Sequence, residues 1–157
     1  MLDDLTLLSG ALLAVLAGLV GYASWTDIKE RRIPNWISAL TIVTGLAAVS
    51  AMGGLIEMGS AAAHFAVALI VGMVLTAMRW IGAGDAKFYA AIAAWLPIQA
   101  GLWLLVSVAL AGLVLLAGFA MKRRGRISRT SATQSDFDKL PYGVAIGLGG
   151  LLAVALA

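Results

Sequence analysis

Six apolar stretches, at roughly residues 5–24, 36–55, 61–80, 86–98, 101–120 and 140–157, occupy most of this chain as nearly continuous runs. Most approach the ~20 residues that a helix needs to cross the hydrocarbon core of a bilayer. Runs without apolar–polar alternation argue against transmembrane strands, so backbone groups in lipid must be satisfied within helices. The fourth stretch is short, and reads either as a tilted half-helix or as a segment continuing past Pro97 into the fifth. Composition agrees with a membrane setting: 62% of the 157 residues are hydrophobic, 12% are charged, and the mean hydropathy is +0.98. A soluble domain carries about 25% charged residues. The expected fold is all-α, a polytopic membrane helical bundle of about six transmembrane helices, forming a single integral membrane domain over residues 1–157.

Charge placement orients such a bundle. Counted through six spans, Lys29, Arg31, Arg32, Arg79, Lys87 and the basic residues between Lys122 and Lys139 fall on one side, while Asp3, Asp4, Glu57 and His64 fall on the other. The positive-inside bias then puts the basic loops in the cytoplasm and both termini outside. The segment 122–139 lacks hydrophobic periodicity and is expected to be a mobile cytoplasmic loop. Read this way, the net charge of +3 is an orientation signal, and no nucleic-acid partner is expected. Trp25, Trp36 and Trp80 are expected at the cytoplasmic interface, with Trp95 and Trp103 at the opposite one, as an aromatic belt. Met1-Leu2-Asp3-Asp4 lacks the positive n-region of a secretory signal, so the first apolar run is expected to be retained. The absence of cysteine excludes a disulfide, a cysteine nucleophile and a thiolate zinc site. With His64 as the single histidine, no metal and no cofactor are expected.

Two carboxylates stand out against this background. Asp27 follows the first apolar run, in Trp25-Thr26-Asp27-Ile28-Lys29, and Asp85 opens the fourth after Gly82-Ala83-Gly84. An ionisable group near bilayer depth is expensive to place and marks a functional site by default. Taken singly, each has a plainer explanation: Asp85 as a helix cap, and Asp27 as an interfacial partner of Lys29 or Arg31. With six spans, however, both meet the same cytoplasmic boundary. Two carboxylates sharing a site hold one proton between them, which supplies a general base and a general acid together.

Three separated motifs occur in order: Asp27 followed by basic residues and Ile33-Pro34-Asn35, then Gly82-Ala83-Gly84-Asp85-Ala86-Lys87, then Leu140-Pro141-Tyr142-Gly143. Their combination resembles the type IV prepilin peptidase family, polytopic GxGD aspartyl proteases that remove the basic leader of prepilins at the cytoplasmic membrane face. The resemblance implies Asp27 and Asp85 as the catalytic pair. Gly82, Gly84, Lys87, Pro141, Tyr142 and Gly143 are candidates for holding the substrate or supporting the site. It also implies a prepilin substrate, the lipid bilayer and pilus-assembly machinery as partners. Larger members carry a cysteine-bearing zinc insertion and methylate the new N-terminus. This chain has neither the insertion nor cysteine, so methyltransferase activity is not expected, and its size resembles the peptidase-only forms of tight-adherence (Flp-type) pili. The alternatives are a GxGD protease of other membrane substrates, and a non-enzymatic transporter or pilus-assembly membrane protein.

Overall fold

A computed structural model describes the backbone of residues 2–124 and 142–157, and the side chains of residues 7–121 and 142–157. Among the described residues the chain is all-helical. The helices are α1 (Leu2–Glu30), α2 (Asn35–Ala77), α3 (Ala83–Ala93), α4 (Gly101–Arg124) and α5 (Tyr142–Ala155), with a 3-10 turn at Ile98–Ala100 before α4. Three segments are long and apolar enough to cross a membrane: Leu7–Glu30, Asn35–Ala77 and Ile98–Met121. The expected loop at 122–139 lies, beyond the last backbone turn of α4, outside the described residues, as does Pro141.

The second and third apolar stretches are helical, as expected, and follow one another within α2 across a kink in place of a loop. The chain bends only at Gly54, where φ is 78° and ψ is −172°. A side chain at that φ meets the following carbonyl, so glycine is the residue that can occupy it. The consequence follows from two bonds made by neighbouring residues: the Trp95 indole N–H donates to the Thr41 carbonyl at 2.9 Å, and the Leu96 carbonyl pairs with His64 Nδ1 at 3.1 Å. On a straight helix Thr41 and His64 would stand about 34 Å apart at 1.5 Å per residue. Consecutive residues cannot reach both, so α2 folds back at Gly54 into two arms, 35–53 and 55–77, which clasp α3.

α3 is the centre of the bundle. Phe88, Ala90, Ala91, Ile92 and Ala93 are fully buried, because a helix that is apolar all round must be covered on every side. Its alanines keep it thin, and backbones approach closely where small residues meet: Gly72 of α2 faces Ala86, while Gly150 of α5 faces Ile92. The short fourth stretch is thus a buried helix that starts at Ala83 and stops ahead of Pro97, without running on into the next.

Two further expectations are corrected. Trp95 is 6% exposed and wedges against Gly45, so it is a core residue and no interfacial anchor. Asp27 lies inside the last turn of α1, which runs on to Glu30. By contrast Trp25, Trp36 and Trp80 are exposed, and Trp103 is about half exposed. Tyr22 contacts both Trp25 and Trp36, and the Lys29 ammonium sits 4.9 Å from the Trp25 ring.

The turn that carries α2 toward α3 is closed by a Schellman pair. The Trp80 N–H donates to the Leu75 carbonyl at 3.0 Å, and the Arg79 N–H donates to the Thr76 carbonyl at 2.9 Å. The left-handed position of this motif, normally glycine, is held by Arg79 at φ 62°. An L-residue there costs roughly 1–2 kcal/mol, partly offset by the ~0.5–1 kcal/mol of chain entropy that glycine would lose. Arg79→Gly is therefore expected to raise stability by about 0.5–1 kcal/mol, read as a higher midpoint of thermal unfolding in detergent. An unchanged or lowered midpoint would show that the Arg79 side chain compensates for its own backbone.

Candidate active site

Asp27 reaches the site from the last turn of α1, and Asp85 from the first turn of α3. The loop between α1 and α2 passes beneath them. Helix ends explain why the site forms here. The first amides of a helix have no partner inside it and present a partial positive charge, so a carboxylate is drawn to them. At the start of α5 the Gly143 N–H donates to Asp27 Oδ2 at 2.9 Å. That bond links residues 116 positions apart and engages one oxygen of the Asp27 carboxylate, Oδ2.

Ile33 is the floor on which the three sequence motifs meet. A Cβ built on Gly143 would lie 2.9 Å from Ile33 Cδ1 and 2.8 Å from Asp27 Oδ2. One built on Gly84 would lie 3.9 Å from Ile33 Cβ. Ile33 therefore touches the glycine backbones of two motifs while belonging to the third. On the α3 side, a Cβ on Gly82 would come within 2.9 Å of Asp85 Oδ2, so the absence of a side chain there lets the carboxylate fold back over the helix start. No hydrogen bond ties Asp85 to the amides of its own first turn among the described residues. Its role as a mere helix cap loses its support.

Electrostatics couples the two acids. The Asp85 carboxyl is pushed up from the ordinary value to about 6. Burial is the larger cause and the negative charge of Asp27 is the second, both of which disfavour the ionised form. The fold holds the Asp85 proton more tightly than an unfolded chain does. This contribution to stability is complete below pH ~4 and disappears as pH rises through about 6.

Asp27 and Gly143 are bonded, Gly84 packs on Ile33, and Gly82 lies against Asp85. Tyr142 is exposed and lines the same cavity as Asp85, Gly82 and Arg79. Lys87 Nζ donates to Asn35 Oδ1 at 3.3 Å, tying α3 to the start of α2. Pro141 lies outside the described residues. No group of three or more His, Cys, Asp or Glu side chains with metal-binding geometry occurs among the described residues. Sequence reasoning missed Ile33 as the shared floor and Arg79 as part of the cavity wall. The signal for Ile33 was its place in Ile33-Pro34-Asn35, whereas that for Arg79 was invisible, because nothing in the sequence marks a left-handed arginine.

Residues 14–117, more than half of the chain, match the family described as "Type IV leader peptidase family". No curated protein and no solved structure matches the chain.

Proposed function

The chain belongs to the type IV leader peptidase family, and from that premise we propose that it is an aspartyl endopeptidase removing the basic leader of type IV, Flp-like prepilins at the cytoplasmic face of the inner membrane. Asp27 and Asp85 are its catalytic pair. The observation that carries this reading is the coupling of two carboxylates 58 positions apart in sequence, one of them raised to about 6 partly by the charge of the other.

The mechanism divides the labour between the acids. Asp85, protonated, donates a hydrogen bond to the oxygen of the scissile carbonyl. Asp27, ionised and fixed through Oδ2 by the Gly143 amide, accepts through Oδ1 a proton from the attacking water. Oxygen adds to the carbonyl carbon as that proton leaves. The amine then departs with a proton from the pair, and one proton remains shared as at the start. Such proton transfers contribute about 10²–10⁴-fold each.

The whole chain acts in this reading as one peptidase domain in a six-pass arrangement. The two arms of α2 cross the membrane in opposite senses, and the short helices α3 and α5 complete the count. The basic residues beside Asp27 and Asp85 then face the cytoplasm, where the pilus-assembly machinery would receive the processed product.

A purified chain in detergent micelles, mixed with a prepilin-like substrate, is expected to release the leader as one fragment of defined mass. The kcat/KM profile is expected to fall on the alkaline side as Asp85 loses its proton, with an apparent midpoint near 6. Mass spectrometry of the product against pH makes the measurement. No cleavage at any pH removes the peptidase reading for this chain. Cleavage that stays level up to pH ~8 removes Asp85 as the acid.

A further inference from the structure

The cavity that ends at Asp85 extends far beyond the two carboxylates. It runs between the second arm of α2 and α4, encloses about 1180 Å³, and reaches His64 and Gly101 at its far end. Its walls are apolar side chains at helical spacing: Val67, Val71 and Leu75 on one side, with Leu102, Leu105 and Ala109 on the other. Ala86 of α3 and Ala145 of α5 form the floor. α2 and α4 face each other across it without an extended packing contact, and Val71 and Leu105 are both more than half exposed. The groove therefore opens sideways, toward lipid.

Resting on the peptidase reading, we infer that this lateral groove receives the apolar helical segment of the substrate that adjoins the cleaved bond, and that it aligns that bond with Asp85. Four observations identify the occupant. The groove ends at Asp85, so whatever lies in it is delivered to one of the two acids. Its length is about 16 Å along α4, from Gly101 to Gly112, and about 22 Å along α2, from His64 to Arg79, which accommodates roughly 11–15 residues of helix. Among the described residues its only charged lining groups, Arg79 and Asp85, are at one end, complementary to a chain that is polar where it is cut and uncharged beyond. A backbone entering from hydrocarbon must satisfy its own hydrogen bonds, so the segment enters as a helix.

The far end is also defined. His64 is 4% exposed, and its Nδ1 pairs with the Leu96 carbonyl, which accepts only and so makes Nδ1 the donor. The other ring nitrogen, Nε2, lies beside Gly101 at this end of the groove, with no hydrogen bond to another described residue. A hydroxyl or amide on the substrate helix, about one groove length from the cut, fits that position.

The test uses wall residues whose exposure lets a larger side chain extend into the groove without entering the core. Val71→Trp and Ala109→Trp are each assayed on two substrates: a full prepilin-like chain, and a short peptide that spans the cleavage site but lacks the apolar segment. The expected result is a KM about tenfold or more higher for the full substrate, with kcat little changed, because a contact made equally in ground and transition states is lost. Cleavage of the short peptide stays at the native rate, which also shows that the variants are folded. Because the chain has no cysteine, Ala109→Cys gives a single crosslinking point. It is expected to join cysteines placed in the substrate helix with a period of three to four positions. Equal cleavage of both substrates by native chain and variants overturns the inference. So does loss of a copurifying phospholipid without change in cleavage, which makes the groove a lipid site, and so does crosslinking between two copies of the chain in place of the substrate. Failure of the underlying peptidase reading shows itself separately, as a native chain that cleaves neither substrate.

Discussion

Asp27→Asn and Asp85→Asn are each expected to lower leader cleavage by at least ~10²-fold, and up to ~10⁴-fold, while the chain still accumulates in the membrane and unfolds at nearly the native temperature. Asparagine keeps the shape of the carboxyl group and an acceptor oxygen. In Asp27→Asn the Gly143 N–H therefore still has a partner where it now meets Oδ2 at 2.9 Å, and α5 stays docked on α1. What is lost is the ability to take or give a proton. At Asp85 the same exchange removes an acid that burial and the Asp27 charge hold protonated up to about 6, so the fold loses little and the chemistry loses its donor. In the proposed mechanism the two acids act as one unit, which makes their effects non-additive: the double variant is expected to be about as slow as the slower single one. Leader removal followed by mass spectrometry, with membrane abundance measured on the same samples, decides the matter. Near-native cleavage by either single variant would remove that residue from the chemistry and leave the pairing without a function.

The parts of this molecule that could be read from its sequence are those dictated by a single residue or a single run. Long apolar stretches announce helices because lipid offers the backbone no other partner, and two carboxylates at their edges stand out because charge is scarce there. What could not be read depends on how helices pack against each other. Hydropathy falls around Glu57 and the neighbouring glycines, which suggested a connecting loop near residues 56–60; the helix continues through them, and the reversal rests on the positive φ of Gly54 alone. Trp95 looks like an interfacial anchor by residue type, yet its indole N–H finds the Thr41 carbonyl inside the bundle. Polar residues at the end of α1 lower its hydropathy without breaking it, so Asp27 turned out to be part of the helix and shares its rigidity. The site followed the same pattern. Its acids were legible as candidates, and the Ile33 floor that brings three motifs into one place was not, since Ile33-Pro34-Asn35 marks a motif without saying which of its side chains the other two pack on.

Gly143 gives the second large expected effect, because it separates what the carboxylates need from what the fold needs. A methyl group on Gly143 would stand 2.8 Å from Asp27 Oδ2 and 2.9 Å from Ile33 Cδ1, closer than such carbons approach real neighbours. Ile33 Cδ1 and the Asp27 carboxylate are both side-chain ends that can turn, and the carboxylate, the nearer of the two, yields by rotating away from the α5 amide. A displacement of about 1 Å at a catalytic group costs on the order of 10²-fold in rate, so Gly143→Ala is expected to lower kcat by about that factor and Gly143→Val by more. Gly149, two turns along α5, supplies the control. A side chain there would collide with the backbone of Val108 and Ser107 in α4, which has no rotamer to yield and lies away from the acids. Gly149→Ala is therefore expected to cost about 1–3 kcal/mol of stability through overpacking, with little change in the rate per folded molecule. Thermal unfolding and cleavage kinetics on the two variants should cross over, one losing mainly rate and the other mainly stability. If Gly143→Ala instead loses stability and keeps its rate, the Gly143–Asp27 bond holds helices together without positioning the base, and the division of labour between the two acids loses its structural ground.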